Sequence, residues 1–232
     1  MALTLAQYEA RVSALLMDTA NTIWPTATLD ECLRLALHEY SDASPLQFET
    51  VITLPGDSRE IALAALTGLE MVSDVWWPYD SAATTETWPP NRVRGWRLYW
   101  DDLQPVLYLE TEDDAQPQLN DELRLWYSKI RTIQNLDSAS ITTVQAEHES
   151  WLVLGAAGHA AFARATDLAE TAGVSAVSTP NLAALGSRWL KEFRRDLDSL
   201  RGAAVVGGPG GPAFGAGWRM DRWDLQGSVR WG

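Results

Sequence analysis

The chain has 232 residues, a formal net charge of -13, 46% hydrophobic residues and 21% charged ones. This is the composition of an ordinary globular protein, long enough for one sizeable core or for one core carrying an inserted subdomain. Binding of nucleic acid through a basic stripe is excluded over most of the length, because residues 1 to 200 hold 14 basic against 29 acidic side chains.

The opening Thr4-Leu5-Ala6-Gln7 has the form of a capping box. Leu5, Tyr8, Val12, Leu15 and Leu16 follow at helical spacing, and Asn21 to Pro25 breaks the pattern. A second box, Thr28-Leu29-Asp30-Glu31, predicts another helix with Leu29, Leu33, Ala36, Leu37 and Tyr40 on one face, ended by Ser41 to Pro45. Two short amphipathic helices cannot make a core alone and need a further layer.

From Gln47 to about Ile133 the period changes to two. Phe48 to Leu54 alternates and stops at Pro55-Gly56-Asp57, a turn signal. Leu69 to Trp77, Val93 to Trp100, Val106 to Glu110 and Leu119 to Ile130 are further strand candidates, separated by Pro78, Pro89-Pro90, Pro105 and Pro117. Five tryptophans (Trp76, Trp77, Trp88, Trp96 and Trp100) fall in this stretch, which reads as a small antiparallel sheet or barrel.

Helical character returns around Thr143, with Trp151, Leu154, Ala157, Ala161 and Phe162. Gly155, Ala156, Gly158 and Ala160 make one stretch smooth enough for close helix contact. Thr179-Pro180 reads as an N-cap followed by proline at the first helical position. That helix carries Leu182, Leu185, Trp189, Leu190, Phe193, Leu197 and Leu200, with charged final turns. The expected architecture is α+β: a helical bundle built from residues 1–46 and 136–201, a β-rich insert over 47–135, and a tether and arm over 202–232.

The arm is the most distinctive segment. Gly207, Gly208, Pro209, Gly210, Gly211 and Pro212 offer too little apolar surface to offset the entropy of ordering them, so they should act as a tether. Beyond it come Phe214, Trp218, Arg219, Arg222, Trp223, Arg230 and Trp231, and Trp and Arg are the types most enriched at binding hot spots. The segment from Arg201 carries four arginines against two aspartates. A basic, aromatic arm on an acidic body suits an acidic partner surface. The competing reading is a terminal strand that docks on its own domain.

Chemistry finds little support. There is no Gly-x-Ser-x-Gly elbow, and Cys32 lies on the apolar side of its helix with no base near in sequence to lower its pKa. His38, His148 and His159 lack partners at metal-ligand spacing. Glu147 and Glu149 beside His148 read as a solvated face. Asp101-Asp102 and Glu112-Asp113-Asp114 lack the glycine and terminal glutamate of an EF-hand loop and read as solvated turns. Gly207 to Gly211 lacks the Lys-Ser/Thr of a phosphate loop. No enzyme, cofactor or metal is expected.

A lone cysteine closes no intramolecular disulfide and implies no oxidising compartment. No run of about 18 apolar residues reads as a spanning helix. The first residues do not form a signal peptide. The expectation is a soluble protein that stays where it is made unless it is assembled into something.

Leu5-x-x-Tyr8-x-x-x-Val12, the Trp24-Pro25 to Tyr40-Ser41 helix, Pro45 before a strand, and Leu123-Arg124-Leu125-Trp126-Tyr127 before a second helix pair together resemble head-tail connector (adaptor) proteins of tailed bacteriophages. The resemblance spans the chain to about Leu200 and rests on diffuse hydrophobic patterns. It implies a structural virion protein at the neck between head and tail, made in the bacterial host cytoplasm. Such proteins form a ring, usually dodecameric, beneath the portal vertex, and their C-terminal segments embrace the portal protein. The other partners it implies are further copies of the chain and a tail or head-closure protein. DNA passes through the channel without specific binding, and no membrane is involved. An acidic body repeated around a ring would repel passing phosphates. The alternative is a carbohydrate- or receptor-binding module that uses the tryptophan-rich insert.

Overall fold

A computed structural model describes residues 2–56, 58–82, 91–111, 115–170 and 178–206. Among the described residues, four helices and two three-stranded antiparallel sheets make the fold α+β.

The first helix, α1 (Leu5–Leu15), begins at the expected capping box, where the Gln7 side chain accepts from the Thr4 amide at 2.9 Å. After it the Asp18 carboxylate gathers the amides of Thr22, Ile23 and Trp24 at 2.8–3.0 Å. This turn, rather than a bare break, redirects the chain into α2 (Thr26–Ala43). The second helix starts two residues before the expected box, behind Pro25, whose fixed φ suits a helix entry. Its face is the expected one: Leu29, Leu33, Ala36, Leu37 and Tyr40 are buried, with Cys32 among them.

The strands are β1 (Leu46–Thr53), β2 (Glu60–Ala62), β3 (Leu69–Tyr79), β4 (Gly95–Asp101), β5 (Gln104–Glu110) and β6 (Glu122–Lys129). They pair in the orders β1-β6-β3 and β2-β5-β4. Leu54, Ile61, Val75, Leu107, Leu109, Leu123 and Leu125 fill a core of their own among these strands. Two prolines expected as separators lie inside strands. Pro78 sits in β3 after a cis peptide bond, where the register with β6 shifts and β3 is an edge. Pro105 is the second residue of β5, beside the hairpin turn, and both sites tolerate a missing N–H. Strand β2 is too short to show in the sequence.

Residues 130–148 form connecting loops and two single 3₁₀ turns (Leu136–Ser138 and Ala146–His148), so the third helix begins later than Thr143. It is α3 (Glu149–Glu170), followed by α4 (Ser178–Val206). Helix α4 starts before the expected Thr179 cap. It also runs past Leu200, so residues 202–206, expected as tether, are helical. α1, α2, α3 and α4 share a second core that includes Tyr8, Val12, Leu33, Tyr40, Leu152, Ala156, Ala160, Phe193 and Leu197.

The smooth stretch of α3 is used as expected. A β-carbon on Gly155 would lie 2.8 Å from the Phe193 ring, and one on Gly158 would lie 2.9 Å from Leu190. The absence of side chains there lets α4 come close.

Candidate functional site

The tether, Gly207 to Pro212, and the arm residues Phe214, Trp218, Arg219, Arg222, Trp223, Arg230 and Trp231 lie outside the described residues. Trp88 and Glu112-Asp113-Asp114 do as well. What the fold supplies is their base: α4 carries the chain up to Val206, directly before the glycine-proline run.

A charged cluster fixes α4 to the bundle. Glu39 of α2 accepts from Arg194 Nε at 2.8 Å and Nη2 at 3.0 Å, and it lies 3.1 Å from His159 Nε2 of α3. The Arg194 hydrogen bonds hold the Glu39 carboxyl below its ordinary value, while burial holds His159 below its own. A bidentate guanidinium–carboxylate pair fixes direction as well as distance, so α4 is held in register on α2 and α3 at this point.

A second polar node ties the helices to the β insert. Arg131, just after β6, is buried and donates to the carbonyls of Ser44 and Thr143 and to Ser44 Oγ. Its guanidinium lies 5.5 Å from the centre of the Tyr40 ring. Tyr40 Oη and His148 Nδ1 share a 2.8 Å hydrogen bond, and the imidazole stacks on Trp151 with centres 4.1 Å apart. Burial holds the His148 pKa below its ordinary value. The expected solvated face holds for Glu147, which is exposed, and fails for the two residues that follow it. His148 and Glu149 are both buried, and Glu149 accepts from the Leu3 amide at 3.1 Å. Both residues have structural partners.

Between α1 and α2, burial and a hydrogen bond with Asp30 push the Glu9 carboxyl up to about 7. Burial pushes the Cys32 thiol up to about 11, which leaves it unreactive near neutrality. Among the described residues no three His, Cys, Asp or Glu side chains converge as metal ligands. Among those residues, too, no helix is long and apolar enough to cross a membrane.

The tryptophans of the insert divide three ways. Trp77 and Trp96 pack on the insert core. Trp76 and Trp126, with Tyr79, surround the Arg124 guanidinium at 4.7–5.2 Å from the ring centres. Arg124 is itself paired with Glu49 at 2.7 Å. Arg124 is therefore held by a cage of aromatic rings as well as by a carboxylate. Trp100 is exposed at the β4–β5 hairpin, where Asp101 and Asp102 occupy the expected solvated turn.

No family model and no curated protein matches the chain. Among solved structures it is similar to a chain of the neck of an empty gene transfer agent (GTA) particle computed with C6 symmetry, at 17% identity over 81% of this chain and 89% of that one, with a TM-score of 0.29. It is similar to a chain of the virion of the native GTA particle at 19% identity over 81% and 89%, with a TM-score of 0.28. A chain from the neck of the native particle computed with C12 symmetry gives 17% identity over 82% and 93%, with a TM-score of 0.26.

Proposed function

We propose that this chain is a structural subunit of a virion neck. In this reading it forms an adaptor ring that joins the portal vertex of the head to the tail and extends the DNA channel. Its arm, Phe214 to Trp231, docks on the portal protein. The observation that carries the reading is the fixed base of the arm. The Glu39–Arg194–His159 cluster, the close α3–α4 contact and the burial of Leu197 hold the last helix against the bundle to within a few residues of the expected tether. A rigid base limits where a tethered binding segment can reach, which raises its effective concentration at one site.

The test adds purified protein to DNA-filled heads that lack it. Rings at the portal vertex and restored tail joining are expected. Protein that folds and never associates with portal-bearing heads contradicts the proposal.

A further inference from the structure

Among the described residues, two of the surfaces that carry apolar side chains into solvent are opposite in charge. The first is the β4–β5 hairpin tip. Asp101 pairs with Gln104, so the loop is Asp102 and Leu103 alone. Both have positive φ, 44° and 66°, as in a type I′ turn, where Asn-Gly is the favoured pair. A leucine there adopts left-handed backbone that its β-carbon disfavours. It also leaves its side chain 90% exposed, three residues from Trp100 at 54%. Asparagine or glycine would relieve the backbone and remove exposed apolar area, so the fold of a single copy gains nothing from Leu103. The side chain is useful where a second surface covers it. Asp101 and Asp102, both exposed, make the tip acidic.

The second surface lies at the crossing of α3 and α4. Gly186 lies against the Phe162 amide there, and Leu185 precedes it. Phe162 is 49% exposed and Leu185 38%. Arg188 and Lys191, also exposed, follow Leu185 at successive spacings of three along α4, which makes Arg188 the neighbour of Leu185 and Lys191 the neighbour of Arg188. This patch is apolar with a basic flank.

We propose that the β4–β5 tip of one copy docks on the α3–α4 crossing of a second copy, Trp100 and Leu103 covering Phe162 and Leu185 while Asp101 and Asp102 face Arg188 and Lys191. Opposite charge fixes the orientation, and apolar contact supplies the burial. The two surfaces differ, so the contact runs head to tail. It therefore propagates into a ring or a filament, unlike a two-fold pair, which closes on itself. The inference rests on the proposed ring and names its contacting residues.

Cysteine trapping on the full chain tests it, both free and bound to portal-bearing heads. Cys32 is buried and stays out of the reaction. Leu103→Cys and Leu185→Cys variants, mixed under mild oxidation, should give a disulfide dimer of the two; on free protein neither should give one alone. Asp101→Lys with Asp102→Lys in the first partner should abolish the dimer. Arg188→Glu with Lys191→Glu in the second should restore it, which misfolding would not do. An equal yield when Ile141→Cys replaces Leu185→Cys overturns the contact, as does the absence of a mixed dimer. Rings without the mixed dimer overturn this interface and leave the ring reading standing. A chain that stays monomeric both free and on heads removes both.

Discussion

Gly186 of α4 lies so close to Phe162 of α3 that a β-carbon on it would sit 2.9 Å from the Phe162 amide nitrogen and 3.0 Å from the Gly158 carbonyl oxygen. Both neighbours are helix backbone and cannot swing aside. Gly186→Ala gains about 1 kcal/mol of helix propensity and meets overpacking of about 1–3 kcal/mol. The net expectation is a loss of about 0–2 kcal/mol, and 1 kcal/mol corresponds to a fall in Tm of about 3 °C for a chain of this size. Gly56→Ala, with nothing within 4 Å of its β-carbon, should leave Tm unchanged. Calorimetry on both variants decides it, and an unchanged Gly186→Ala would mean that the two helices separate easily.

The Glu39–Arg194 pair is partly exposed, so its net worth is about 1 kcal/mol or less. Glu39→Gln should lower stability by about that amount at pH 7. Its folded pKa is depressed, so its contribution is present above the unfolded value of 4.5 and fades as pH falls through the lower folded value. The gap between variant and parent should therefore narrow as pH falls below 4.5. A gap that stays the same throughout acid titration would assign the effect to packing.

Glu9 has the opposite sign. Its folded pKa is raised to about 7 from 4.5, so its stabilising contribution is complete below 4.5 and is lost as pH rises through 7. Glu9→Gln should therefore stabilise the protein more at pH 8 than at pH 4, by about 1 kcal/mol once solvent screening of this half-buried side chain is allowed for. Urea unfolding at the two pH values measures it, and an equal shift at both would sink the idea.

Tyr40→Phe keeps the ring and removes the hydroxyl that meets His148 Nδ1. It should cost about 1–3 kcal/mol, because the imidazole nitrogen is left buried without that partner. Chemical denaturation reads this directly. A neutral result would mean that water enters the node.

The helix faces were legible in the sequence because burial follows a simple period. Leu29 to Tyr40 is apolar at helical spacing and is buried at that spacing. The smooth run Gly155 to Ala160 was legible because only helix contact uses missing side chains. The polar nodes were not. His148 stands between two glutamates in the chain, and its burial comes from Tyr40, over one hundred residues away, and from Trp151 stacking beneath it. Pro78 and Pro105 read as breaks, since a sequence does not show which strand is an edge or where a hairpin turns. The Asp18 turn was hidden because its partners are backbone amides, which every residue carries. The candidate arm was legible as composition alone.

With fourteen basic against twenty-nine acidic side chains, residues 1–200 should not retain duplex DNA at physiological salt, because their net charge repels the phosphates. A gel shift that weakens steeply with added salt would contradict this.

The central claim is that the arm attaches this chain to the portal. The most direct measurement compares the full chain with a chain lacking residues 213–232, and with Trp218→Ala, Trp223→Ala and Trp231→Ala, for binding to portal-bearing heads. Buried aromatic anchors cost about 2 kcal/mol or more on truncation, so each substitution should weaken binding about thirtyfold. The deletion should fold normally, bind no heads and leave them without tails. If the shortened chain still joins heads and supports tail attachment, the arm is not the attachment device.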